Sequence, residues 1–248
     1  MIRGKQIVLA LLILLVLWQI LAMLVQMPIL PSPYLVLTVL VKEVFQGKLA
    51  GHFLASFWRV FASTFLAILF ASPAGLILGQ SKKIGKMAAP FIYLLYPIPK
   101  VVLLPVILLF LGIGDLSKIF IIFVILFFQI LVLVRDQAAT IRPELIQSVR
   151  SLGAGRRALF RYVYLPASIP GILTALRQSI GTAVAVLYVA ELFATQKGLG
   201  YYIYLNGSTL FNYPAMYAGV VAMSVLGLGL YFVVDAAERK LCPWLSFK

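Results

Sequence analysis

Two charged side chains interrupt sequence that is otherwise apolar: Lys100, in Tyr96-Pro97-Ile98-Pro99-Lys100, and Glu191, in Val189-Ala190-Glu191-Leu192-Phe193. A charge at membrane depth is costly and marks a path for ions or solutes, so the chemistry on offer is recognition and passage. Bond-breaking chemistry lacks its constellation. The single histidine, His52, stands apart from any carboxylate cluster, and Asp115, Asp136 and Asp235 fall at span ends, so neither a Ser-His pair nor an Asp pair forms inside a bilayer. With no cysteine or carboxylate neighbours, His52 reads as a solvated loop residue and not as a metal ligand. No catalytic residue, metal site or cofactor is expected.

The longest polar interval runs from Arg135 to Pro170 and carries six arginines: Arg135, Arg142, Arg150, Arg156, Arg157 and Arg161. Its pattern predicts two short helices with a break. Pro143 suits a first helical position, and Glu144 places a carboxylate at the positive end of the helix dipole. Leu145, Ile146, Val149 and Leu152 fall at helical spacing, with Gln147, Ser148, Arg150 and Ser151 on the remaining faces. Gly153-Ala154-Gly155 ends the first helix, because glycine admits positive φ. Ala158, Leu159, Tyr162 and Val163 begin a second apolar stripe, which Leu165-Pro166 stops. One face wants an apolar partner and the other stays wet, so this interval meets something soluble.

The elements that must position these residues are membrane helices. Of 248 residues, 63% are hydrophobic and only 11% are charged, and mean hydropathy is +1.06. These values describe one integral membrane domain spanning residues 1–248, all-α and polytopic. Six spans are expected, at about 7–25, 57–79, 87–111, 118–134, 169–193 and 215–234, with the arginine-rich loop over 135–168. The first is an uncleaved helix: its apolar run is longer than the roughly 7 to 15 residues of a signal peptide and ends in Gln26-Met27-Pro28. Tyr34 to Phe45 forms a short interfacial helix outside.

Gly75 and Gly79 permit close helix approach. Prolines 90, 97, 99 and 105 break the third span, and such breaks at membrane depth survive where protein or a wet cavity re-satisfies the backbone. Tyr96, Pro97, Pro99 and Lys100 are accordingly assigned to the route, with a snorkelling Lys100 as the alternative. Arg177 can snorkel to the nearer surface. Glu191 faces the cavity, latches a gate, or pairs at the interface with Lys197 or Lys118. Tyr201, Tyr202, Tyr204, Phe211 and Tyr213 read as an interface belt, and Trp244 as an interface residue of the tail.

The net charge of +14 reflects topology and not nucleic-acid binding. Fourteen of the 21 basic residues, including Arg3, Lys5, Lys82, Lys83, Lys86, Arg239, Lys240 and Lys248, fall on one side of these spans. Outside or external-end positions hold Lys42, Lys48, Arg59, Lys118 and Lys197. Excess Lys and Arg marks the cytoplasmic face, which puts both termini inside. Cys242, alone, forms no intrachain disulfide.

Gly153, nine intervening residues, then Val163-Tyr164-Leu165-Pro166 resembles the second half of the EAA loop of ABC importer permeases. Where that motif has Glu-Ala-Ala this chain has Gln147-Ser148-Val149, so the glutamate's role does not carry to Gln147. The run Tyr96 to Ile119 resembles permeases that import sulfonates, taurine, nitrate and related solutes. So does Ala190-Glu191 followed by Gly198-Leu199-Gly200.

The resemblance implies a type I ABC importer fold in the bacterial inner membrane, with two permease copies and two ATPase subunits. It also implies an extracytoplasmic substrate-binding protein. It places Glu144, Gln147, Ser148, Val149, Gly153, Ala154, Val163, Leu165 and Pro166 at the ATPase contact, where closure of the ATPases moves the loop as a lever. ATP chemistry belongs to another chain, since no G-x4-G-K-[ST] stretch is present here. The expected cargo is a sulfonate, taurine, nitrate or similar anion, with a thiamine-precursor pyrimidine as the alternative. An ion-coupled secondary transporter is the competing class; it would show internal repeats and several intramembrane acids, and neither is found.

Overall fold

The structure is a computed structural model and describes residues 4–193 and 195–243. Arg3, Trp244 and Lys248 lie outside the described residues. Every described element is helical. In order they are α1 (Gly4–Val25), α2 (Pro33–Phe45), α3 (Leu49–Gln80), α4 (Lys82–Leu95), a 3₁₀ turn (Lys100–Leu103), α5 (Leu104–Leu111) and α6 (Asp115–Ala139). Then follow α7 (Pro143–Ser151), α8 (Arg156–Leu159), a π turn (Phe160–Tyr164), α9 (Leu165–Leu192), α10 (Leu199–Tyr204), a second π turn (Leu205–Thr209) and α11 (Tyr213–Leu241).

Among the described residues, α1, α3, α6, the stretch Arg157–Leu192 and α11 are each long and apolar enough to cross a membrane. Lys82–Leu95 and Lys100–Leu111 meet the same criterion as a pair, bent by 73° at the break between them, and counting that pair as one broken span gives six. This is the all-α, polytopic architecture expected from the hydropathy pattern.

Local chemistry fixes several boundaries. Ser32 caps α2, accepting the Leu35 N–H at 3.4 Å, with Pro33 at the first helical position, where its missing N–H costs nothing. Ser81 caps α4 in the same way through the Ile84 N–H at 3.3 Å. Gly112, at φ +76, turns the chain between α5 and α6. Leu165-Pro166 does not end a helix, contrary to expectation. Pro166 is the second residue of α9, where proline is tolerated, and the π turn before it absorbs the change of register.

The chain packs as two compact units: Met1–Ser56 with Glu191–Leu226, and Phe57–Ala190 with Gly227–Lys248. In the second unit the core residues of α6 include Ile121, Ile122, Leu126 and Ile130, all fully buried. Here α3 approaches α6 closely through its two glycines. A Cβ on Gly75 would lie 2.9 Å from the Leu131 carbonyl oxygen, and one on Gly79 only 2.5 Å from that of Arg135. Leu173, Leu176 and Ile180 of α9 meet Val234 and Cys242 in the same unit. In the first unit, Ile203 and Tyr202 pack on α11 at Gly219, and Trp18 of α1 meets Tyr217, with ring centroids 5.7 Å apart.

Candidate functional site

The bent crossing owes its break to two imino acids. In a helix the Leu95 carbonyl would accept the N–H of residue 99, and the Tyr93 carbonyl that of residue 97; both positions are proline and have none to give. Past the break the Val102 N–H turns back to the Pro99 carbonyl at 3.0 Å, closing a 3₁₀ turn. Lys100 supplies a donor to the first of these carbonyls and to two that follow it. Its Nζ lies 2.9 Å from Leu95 O, 3.1 Å from Tyr96 O and 3.3 Å from Ile98 O, with the Phe128 ring centroid 4.5 Å away.

Two open grooves flank this segment. One, of about 380 Å³, is lined by Tyr96, Pro97, Pro99, Lys100, Phe128 and Gln129. The other, of about 930 Å³, shares Tyr96 and Pro97 and carries Lys86 and Arg135. The structure therefore brings the expected route residues Tyr96, Pro97, Pro99 and Lys100 together, and leaves Glu191 out of both linings.

Glu191 is fully buried in the first unit. The Ser56 hydroxyl donates to its two oxygens at 2.7 and 2.9 Å, and the Gly200 N–H donates at 2.8 Å. Ser56 Oγ in turn accepts the Leu199 N–H at 2.7 Å, and His52 Nδ1 accepts the Gly198 N–H at 3.0 Å. Three successive backbone N–H groups at the start of α10 are thus held by three side chains. His52 and Ser56 come from one face of α3 at i and i+4, and Glu191 comes from the end of α9. Gly198 has φ +126, and a Cβ there would stand 2.3 Å from the Glu191 carboxyl carbon, so only glycine fits.

This geometry corrects two expectations. His52 is not a solvated loop residue: α3 begins at Leu49, so the ring enters the structure on a helix, is 8% exposed, and lies against Tyr201 and Tyr202. Nor is Tyr202 part of an interface belt, being buried, whereas Tyr204 and Phe211 stay exposed. Burial pushes the Tyr202 phenol above its ordinary range, with the Glu43 carboxylate adding to the shift. Its hydroxyl has no partner at hydrogen-bonding distance among the described residues, so burial and not a bond to Glu43 is the main cause. Ser56 escaped the sequence reading because a serine in an apolar helix carries no signal of its own; only the turn it clasps reveals it.

The arginine-rich segment folds as α7, a break, and α8 with its π turn. The Gly153 N–H bonds Arg150 O at 2.9 Å and the Ala154 N–H bonds Val149 O at 3.4 Å, with Gly153 left-handed at φ +81. No residue of α7 is buried. Leu145 and Leu152 are exposed, Val149 is half-exposed, and Glu144, Gln147 and Ser148 are exposed. Leu159 and Val163 are buried, while Tyr162 is exposed, so only part of the second stripe packs inward. Ala154 and Pro166 are half-buried and Leu165 is at the surface.

Other charges found partners that the sequence did not foretell. Arg177 pairs with Glu238 and, at 3.5 Å, with Asp235, both on α11. Arg59, counted among the external charges, is buried and donates from Nε to Asp115 at 2.8 Å. Lys118 is buried and donates to Gly114 O at 3.1 Å.

Comparison with known proteins places this architecture. A family model described as binding-protein-dependent transport system inner membrane component matches residues 67–244. The taurine transport system permease protein of Escherichia coli is 32% identical over 193 residues, covering 78% of this chain and 70% of that protein. The formylaminopyrimidine transport permease protein of Halalkalibacterium halodurans is 26% identical over 234 residues, covering 94% and 93%. Among solved structures, an inward-facing MetNI methionine ABC transporter chain is alike in fold, with TM-score 0.71 and 22% identity, covering 80% of this chain and 98% of that one.

Proposed function

The chain belongs to the binding-protein-dependent transport system inner membrane components, and we propose that residues 1–248 act as one permease domain driven by a separate ATPase chain through α7. The observation that carries this reading is the uncovered apolar stripe of α7. Leu145 and the half-exposed Val149 lie on a nine-residue helix with no fully buried residue, and the exposed Leu152 extends their stripe just past its C-terminal end. An amphipathic helix of this kind is an anchor for a groove on a partner. The rigid left-handed stop at Gly153 and the inward-packed Leu159 and Val163 give that anchor a lever into α9. Glu144, Gln147, Ser148, Gly153, Ala154, Leu165 and Pro166 complete the contact, and ATP-driven closure of two ATPases swings it.

In this reading the basic segments face the cytoplasm, both termini included, and a second copy completes the pathway. A binding protein delivers solute to the opposite face. Tyr96, Pro97, Pro99 and Lys100 border the route, and Glu191 acts as a latch that holds the external turn Gly198–Gly200 in place. The cargo is a small anion of the sulfonate, taurine or nitrate kind, supported by the similarity to a taurine permease. The similarity to a formylaminopyrimidine permease favours a thiamine-precursor pyrimidine as the second reading.

Affinity purification of the chain from its native host in mild detergent tests the assignment, with co-purifying proteins identified by mass spectrometry. An ATPase bearing a phosphate-binding loop should accompany it, and a binding protein found with it can be screened with taurine and a pyrimidine. Recovery of the folded chain alone, with uptake driven by an ion gradient in the absence of ATP, would return the secondary transporter.

A further inference from the structure

The Lys100 ammonium faces a groove in a chain that moves solutes, and the direct assignment would make it a ligand for cargo. Its hydrogen bonding argues otherwise. An ammonium has three N–H donors and no acceptor. All three are taken, by Leu95 O, Tyr96 O and Ile98 O. Each of those carbonyls lacks its helical donor for a reason visible in the chain. The donor for Leu95 would be Pro99, which has no N–H. The donor for Ile98 would be Val102, whose N–H is bonded to Pro99 O. The donor for Tyr96 would be Lys100 itself, at the start of the 3₁₀ turn.

Irregular backbone at membrane depth requires such re-satisfaction from the protein or from water. The Phe128 face, 4.5 Å from the ammonium, holds it from α6. Phe128 and Gln129 are neighbours on α6 and line the same groove.

We propose that Lys100 is a positioning residue: its side chain pins the 73° break between α4 and the 3₁₀ turn open, and so sets the shape of the groove at Tyr96 and Pro97. The pin rests on the reading that this segment borders the route only for its consequence in transport, not for its effect on the bend.

Spin labels at Met87 and Leu109, exposed residues on the two arms, report the bend in the full chain assembled with its ATPase and binding protein, in a Cys242→Ser background. With Lys100→Met the interlabel distance should lengthen by several ångströms or broaden. The limit is the roughly 33 Å that 22 residues of unbroken helix would span. Lys100→Arg, which keeps donors for the carbonyls, should hold the distance of the parent. If Lys100→Met does not insert, Lys100→Gln, with two N–H donors and no charge, is read in the same way.

An unchanged distance in Lys100→Met or Lys100→Gln overturns the pin. Uptake of labelled taurine and of labelled formylaminopyrimidine by the same complexes separates the two readings. A lost bend with uptake intact keeps the pin and removes the segment from the route. An intact bend with uptake abolished overturns the pin and makes Lys100 a contact for the solute.

Discussion

The Ser56 hydroxyl donates to both carboxylate oxygens of Glu191 while accepting the Leu199 N–H, so one serine joins α3, α9 and the turn into α10. The Gly200 N–H donates to the same carboxylate at 2.8 Å. A buried carboxylate is tolerated where donors surround it, and here they include the Ser56 hydroxyl of α3 and the Gly200 N–H of a turn that His52 and Ser56 also hold. Through these bonds Glu191 fastens the turn Gly198–Gly200 to α3.

Glu191→Ala should leave Ser56 and Gly200 each with a buried donor and no acceptor, at roughly 1–3 kcal/mol for each. Glu191→Gln keeps one acceptor oxygen and should cost less. Melting temperatures of the purified chains in detergent check this, and proteolysis near Gly198 should quicken in the alanine variant first. Equal melting temperatures for parent and alanine variant would remove Glu191 from the structural account.

The two glycines of α3 make a sharper test of packing. A Cβ on Gly79 meets Arg135 O at 2.5 Å and Ala138 Cβ at 2.6 Å, whereas one on Gly181 meets nothing within 4 Å. Gly79→Ala should destabilise by about 1–3 kcal/mol through overpacking against α6. Gly181→Ala should be neutral or stabilising, because alanine is the better helix former. A ranking in the reverse order would mean that α3 and α6 do not meet at Gly79.

Length and apolarity made the membrane helices legible, and the glycine spacing in α3 announced its own close contact. Pairing was not legible. The sequence lets Arg177 snorkel but does not reveal its partners, because Asp235 and Glu238 lie more than fifty residues away and no local pattern links them. His52 was misread for a related reason. The helix that carries it begins at Leu49, earlier than the apolar run suggests, since helical hydrogen bonding continues past the residues a bilayer selects. The role of Lys100 needed coordinates, because a lysine after two prolines is compatible equally with a route, a snorkel or a pin.

Alkaline pH should act on the first unit through Tyr202. Burial raises its pKa above the ordinary 10.0, so the folded chain keeps the phenolic proton when the unfolded chain begins to lose it. The resulting stability is fully present below about pH 10 and is lost as pH rises from there towards the folded value. Tyr202→Phe abolishes this dependence and also removes a buried hydroxyl that lacks a partner. The phenylalanine variant should therefore melt no lower than the parent at about pH 8, and increasingly higher above pH 10. Parallel melting curves across that range would show that Tyr202 titrates alike in both states.

Gly153 tests the lever. Its φ of +81 is open only to glycine among unstrained residues, yet nothing lies within 4 Å of where its Cβ would be. A substitution there consequently strains the backbone, by roughly 1–3 kcal/mol for a left-handed residue with a side chain, without a clash. Gly153→Val should shift the chain out of the left-handed turn and alter the angle between α7 and α8. The protein should still insert, since no membrane helix is touched, and α7 should still present Leu145 and Leu152 to a partner. Binding of the ATPase is then retained while its hydrolysis no longer drives uptake, so that the ratio of ATP hydrolysed to solute imported rises several-fold. Transport at the parent's ratio in Gly153→Val vesicles would show that α7 and α8 need not move as one piece, and the lever would fall even if the ATPase contact stood.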